Sequence, residues 1–125
     1  LLGAKREVIE QVFETALAGL RNMPRDQQAA FNRQLLISSA QGGEAIICDE
    51  ADAALFDEAF LSDANAALAK DGKPPVSLSK ERRATGGGFV LQSAGLEINC
   101  TYAAVLQQAK RSLESEVAQM LFGEA

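Results

Sequence analysis

The 125-residue chain has no histidine and no tryptophan, and only three prolines, two cysteines and one tyrosine. Without histidine the commonest general base and metal ligand is gone, and the Ser-His-Asp and Cys-His arrangements go with it. Cys48 and Cys100 form neither a C-x-x-C pair nor a zinc set. Each lies in a strand-like apolar stretch, which reads as a buried, reduced thiol and fits a reducing, cytoplasmic setting. A disulfide between them is the alternative. Positive charge is also scarce: 12 Lys and Arg stand against 17 Asp and Glu, a net charge of −5. Nucleic-acid binding draws on a basic excess, so that class is excluded. No apolar run approaches the roughly 20 residues that cross a bilayer, so no direct membrane insertion is expected. No signal-peptide pattern is seen at the start of the chain.

The chain does have apolar content, 47% hydrophobic against 23% charged, enough for one packed core at this length. Ile9, Phe13, Ala16, Leu17 and Leu20 recur at helical spacing from about Leu1 to Arg21. That helix begins without a cap, which points to a first helix continuing from something longer. Its length of about 31 Å exceeds the expected radius of the domain, so it can protrude. Val8 and Val12 widen its apolar stripe enough to pack on a second helix. Pro24 suits the first helical position of a second helix running to about Ser39, with Phe31, Leu35 and Leu36 or Ile37 facing inward. Glu44 to Cys48 reads as a strand. Asp49 or Asp52 caps a third helix to about Lys70, with Phe56, Ala59, Phe60, Ala64, Ala67 and Leu68 on its buried face. Val76 to Ser79 is a second strand, and Lys80 to Thr85 a polar loop. Phe89 to Gln92 and Leu96 to Cys100 form a hairpin whose three-residue connection predicts a G1 bulge. Thr101 caps a last helix, with Ser115 as a candidate kink and Tyr102 placed with its hydroxyl at the rim. The fold class is therefore α+β (α/β mixed): a four-stranded sheet packed with helices, preceded by the end of a long stalk helix. Residues 1–21 make the stalk end and 22–125 the globular head.

Candidate chemistry is thin. Gly86-Gly87-Gly88 precedes a strand, whereas phosphate and dinucleotide loops open helices, so a flexible lead-in to the strand or a bulge is the better reading. Asp49, Glu50, Asp52, Asp57 and Glu58 lack the spacing of an EF-hand loop, and acids at a helix start complement its dipole. Ser77, Ser79 and Ser93 have no adjacent base. Lys80, Arg82 and Arg83 make the one basic cluster, interrupted by Glu81, and read as a solvated loop. The residues thus point to no catalytic, cofactor-binding or metal-binding set and favour an interaction role. A small hydrolase working through the Asp49–Glu58 carboxylates is the reading from another class.

The two ends carry a resemblance. Leu2-Gly3-Ala4-Lys5-Arg6-Glu7-Val8-Ile9, running on to Val12-Phe13-Glu14, resembles the end of the long helix in the E subunit of V-type and A-type rotary ATPases. Gly87-Gly88-Phe89-Val90-Leu91, Leu96-Glu97-Ile98-Asn99 and the run Leu113 to Gly123 resemble its C-terminal signature, in the same order along the whole chain. Proline commonly stands in that family where Ser115 stands here. The hairpin signature is shared with the stator of flagellar and type III export ATPases, the alternative assignment. The resemblance implies a non-catalytic peripheral-stalk, or stator, component of a proton- or sodium-translocating ATPase. It would sit on the cytoplasmic, peripheral side of that membrane complex. It implies a coiled coil with the G subunit of the stalk, mainly through a preceding segment, and a head docked on the B subunit of the catalytic hexamer. Candidate interface residues are Arg82, Arg83, Glu114, Glu116, Gln119 and Phe122. Val8 and Val12 also offer a route to a homodimer in a fragment lacking its partner.

Overall fold

The computed structural model describes residues 2–122, with the side chains of 1–6, 113, 117, 118 and 120–125 outside the description. Helix α1 (Leu2–Arg21) leads to α2 (Arg25–Ser39), then strand β1 (Ala45–Cys48), a 3-10 turn (Glu50–Leu55) and α3 (Glu58–Lys70). Strands β2 (Ser77–Arg82), β3 (Gly88–Ser93) and β4 (Leu96–Thr101) follow, and α4 (Tyr102–Phe122) ends the described chain. The fold is α+β, as the alternation of helical and strand periodicities predicts.

The four strands form one sheet in the order β2-β1-β3-β4. The β1–β2 pair is parallel, with α3 in the crossover, and the β1–β3 and β3–β4 pairs are antiparallel. Ile46, Cys48, Phe89, Leu91 and Cys100 share the face that meets Leu36 of α2 and Phe60, Ala64 and Leu68 of α3. Phe56 packs edge-on against Phe60 at 4.9 Å and against Phe89 at 5.8 Å, each pair adding about 0.5–1.5 kcal/mol beyond its buried area. Both cysteines are buried and free. Cys100 pairs with Phe89 on one side, and Cys48, one step past the Ile47–Val90 pair, meets Phe89 from the other. Two strand spacings of about 9.5 Å separate them, beyond disulfide reach.

Five expectations change. The third helix is two pieces: Asp49 caps the 3-10 turn by accepting from Ala51 N, and Asp57 caps α3 by accepting from Phe60 N at 2.9 Å. Each of these two acids starts its own turn, and Phe56 stays buried at the break. Strand β2 continues through Lys80, Glu81 and Arg82, so these are not loop residues. Edge strands tolerate such charges because one side of the ladder is open to water. The hairpin closes in two residues, because Ser93 pairs with Leu96, and Ala94 (φ 48°) and Gly95 (φ 82°) form a type I′ turn. Tyr102, expected at the rim, is 1% exposed. Helix α4 runs through Ser115 without interruption, and Thr101 Oγ1 accepts from Ala104 N as expected of its cap.

Candidate partner interface

Helix α1 packs chiefly along α4. Arg21 ends α1 beside Gly86 and Tyr102 starts α4 beside Gly87, while Glu10 pairs with Lys110 further out, so the two helices run antiparallel away from one point. Ile9, Val12, Phe13 and Ala16 line a groove of about 90 Å³ with Leu106, Ala109 and Lys110, Val12 standing at its open edge. Lys110 Nζ also sits 5.5 Å from the centre of the Phe13 ring. At 100° per residue α1 divides into three sectors. The apolar sector of Ile9, Phe13, Ala16, Leu17 and Leu20 is buried or half-buried. A charged sector carries Glu7, Glu10, Glu14 and Arg21. The third sector, Val8, Gln11, Val12, Thr15, Ala18 and Gly19, is exposed and uncharged. Val8 is 58% and Val12 53% exposed, and nothing stands within 4 Å of the position a side chain on Gly19 would take. Positions 8, 12, 15 and 19 repeat at intervals of four, three and four, the spacing of a helix-packing seam.

The candidate interface residues fall in two separate places. Arg82 ends β2, where its guanidinium donates to Ser79 O and Glu81 O and lies 3.9 Å from Glu50. Arg83 donates to both carboxylate oxygens of Glu97, at 2.9 and 2.7 Å, and to Glu81 at 2.7 Å. Its backbone N–H meets Cys48 O at one end of β1, while Glu97 stands at the row of Gln92 and Ala45 at the other. The Arg83 side chain therefore spans the sheet face that carries Ile47 and Val90, a diagonal strap made of one bidentate fork. These bonds hold the Glu97 carboxyl below its usual range and the Arg83 guanidinium above its own, Arg83 acting first on Glu97 and Glu97 first on Arg83. Glu114, Glu116 and Gln119 lie on the far half of α4, beginning about 18 Å beyond Tyr102. Glu116 and Gln119 are exposed and Glu114 half-buried. The side chain of Phe122 lies outside the described residues.

The remaining candidates resolve into structural roles. Asp49 and Asp57 are the caps already described. Asp52, only 8% exposed, accepts from Arg25 at 2.9 Å. No group of three or more acidic or cysteine side chains with metal-holding geometry occurs among the described residues. Ser79 Oγ accepts from Glu81 N. The three consecutive glycines all have positive φ and all have tight neighbours: Arg21 at Gly86, the Tyr102 ring at Gly87, and the backbone of Cys100 to Tyr102 at Gly88.

Sequence reasoning missed the polar cluster beneath the helix pair. Gln28 and Asn32 are 4% and 0% exposed. Asn32 Nδ2 donates to Tyr102 Oη at 2.9 Å, and Tyr102 Oη donates to Gln28 Oε1 at 3.2 Å. The available signal was their i, i+4 spacing on the same face of α2 as Leu36. Burial pushes the Tyr102 hydroxyl above its usual pKa, an effect that the Asn32 hydrogen bond partly offsets.

Fold and surface together define a class: a small α+β protein whose first and last helices pair antiparallel, with one face of the first helix uncharged and exposed between residues 8 and 19. A family profile described as the ATP synthase (E/31 kDa) subunit matches residues 1–122. The chain belongs to that family. It is similar to the E subunit of the V-type proton ATPase of Thermoanaerobacter pseudethanolicus, 39% identical over 98% of this chain and 62% of that protein. It is also similar to the E subunit of the V-type ATP synthase of Clostridium botulinum strain Langeland, 34% identical over 97% of this chain and 62% of that protein. The chain thus spans less than two thirds of the length of these relatives.

Proposed function

We propose that this chain acts as a non-catalytic stator element, the head and adjoining stem of the peripheral stalk of a V/A-type rotary ATPase. The observation that carries the reading is the stem itself. Its α1 helix buries one face on α4 and leaves a face that is uncharged and exposed from Val8 to Gly19, marked by Val8 and Val12. A soluble helix rarely keeps such a second face without a partner. In this reading the partner is the helix of the G subunit, lying along positions 8, 12, 15 and 19, and the head docks on the B subunit of the catalytic hexamer. Membership of the family supports both assignments. Residues 1–21 then bring the stalk into the head formed by 22–125, with α4 as the brace that stiffens the entry point. Arg82, Arg83, Glu114, Glu116, Gln119 and Phe122 are proposed to contribute to the contacts with the neighbours. No cofactor enters this role, because resisting torque needs stiffness and grip rather than a reactive group. No helix among the described residues is long and apolar enough to cross a membrane. The proposed place is on the cytoplasmic, peripheral side of the complex.

The test is co-purification with the tagged G and B subunits. The chain is expected to retain B, and to retain it more firmly when the preceding segment and G are supplied. Val8→Asp combined with Val12→Asp is expected to release G and spare the fold. Failure of the extended chain to retain either partner refutes the proposal.

A further inference from the structure

The polar cluster where stem meets head touches every element that sets the stem's direction. Gln28 Nε2 donates to Arg21 O at 3.2 Å and to Met23 O at 2.8 Å, closing the end of α1. Gln28 Oε1 accepts from Tyr102, the first residue of α4. Arg25 ties the same Gln28 oxygen to Asp52 and to Ala51 O of the 3-10 turn. From above, Arg21 Nε donates to Gly86 O at 2.8 Å, and Tyr102 N donates to Gly87 O at 3.1 Å. Gly87 lets the chain lie flat on the Tyr102 ring, since a side chain there would stand 2.6 Å from Cε2 and closer still to Cδ2.

This network is polar in a place where apolar packing would serve stability as well. Asn32 is fully buried, and its Oδ1 has no hydrogen-bond partner although its Nδ2 has two. Buried polar groups left partly unsatisfied weaken a core, and replacing both partners by apolar groups of similar shape is often neutral or stabilising. Directional bonds do what apolar contact does not: they fix an angle. We propose that the Gln28–Asn32–Tyr102 cluster, with the Arg21–Gly86 bond, is a locked elbow that holds the α1–α4 stem at one orientation to the sheet. It fixes that direction at the expense of stability. The inference rests on geometry within this chain and stands whether or not the stator reading holds.

The test separates angle from stability. Nitroxides carried on non-cysteine handles at exposed Ser62 of α3 and Glu14 of α1 report the stem-to-head distance distribution by double electron–electron resonance. The unaltered chain is expected to give one narrow distribution. Tyr102→Phe with Asn32→Leu is expected to keep or raise the melting temperature while widening the distribution about twofold. Arg21→Ala, which removes a bond outside the core, is expected to widen it as well. An unchanged width in both variants overturns the elbow. So does widening that appears only together with a lowered melting temperature, since the cluster would then be ordinary core.

Discussion

Replacing Gly87 with alanine puts a methyl group into the Tyr102 ring, 2.6 Å from Cε2. Two penalties combine. The backbone at φ +112° lies where L side chains are strained, at about 1–3 kcal/mol. The ring must also retreat, which pulls Tyr102 Oη from Asn32 and Gln28 and leaves buried groups unpaired, at about 1–3 kcal/mol. Together they predict a loss of about 2–6 kcal/mol, a large share of the stability usual for one domain. Gly95→Ala is the matched control. Gly95 has φ +82° and nothing within 4 Å of the added carbon, so only the backbone penalty of about 1–2 kcal/mol applies. Urea unfolding followed by far-UV circular dichroism measures both, with equal m-values as the check that unfolding stays two-state. The reasoning predicts that Gly87→Ala loses about 2 kcal/mol more than Gly95→Ala. Equal losses would refute it, because the contact with Tyr102 would then carry no energy.

Two further outcomes follow from the same geometry. Asp57→Ala should lower stability by about 1 kcal/mol in urea unfolding, and Asp57→Ser should restore most of it, since the cap needs one acceptor for Phe60 N rather than a charge. Burial raises the pKa of Cys48, Cys100 and Tyr102 in the folded chain. Stability is therefore complete below the unfolded thiol value of about 8.5 and falls as pH climbs through the higher folded values, by at most about 1.4 kcal/mol per pH unit per group. Cys48→Ala with Cys100→Ala should flatten that alkaline slope in unfolding curves taken across the range, whatever it does to stability at neutral pH.

Much of this fold was legible because it is local. The helical spacing of Ile9, Phe13, Leu17 and Leu20, the Pro24 start and the alternation of Leu96, Ile98 and Cys100 are each settled within a few residues of chain. The strand identity of Lys80-Glu81-Arg82 was hidden because an edge strand with a charged side has no hydrophobic alternation to read. Phe56 obscured the break before α3 by matching the helical apolar pattern on both sides. Tyr102 looked like a rim residue because the groups that satisfy its hydroxyl, Gln28 and Asn32, lie some 70 residues earlier. Val8 and Val12 were legible as a second stripe. That α4 covers the neighbouring stripe of α1 was not, because two amphipathic helices do not name each other.

The proposed role is mechanical: α1 would hold a partner helix so that the complex resists torque. The most direct measurement compares ion transport with ATP hydrolysis in assembled complexes whose E subunit carries the equivalent of Val8→Asp and Val12→Asp. The account predicts that transport per ATP falls while hydrolysis continues. Transport and hydrolysis falling in proportion, or neither changing, would contradict it.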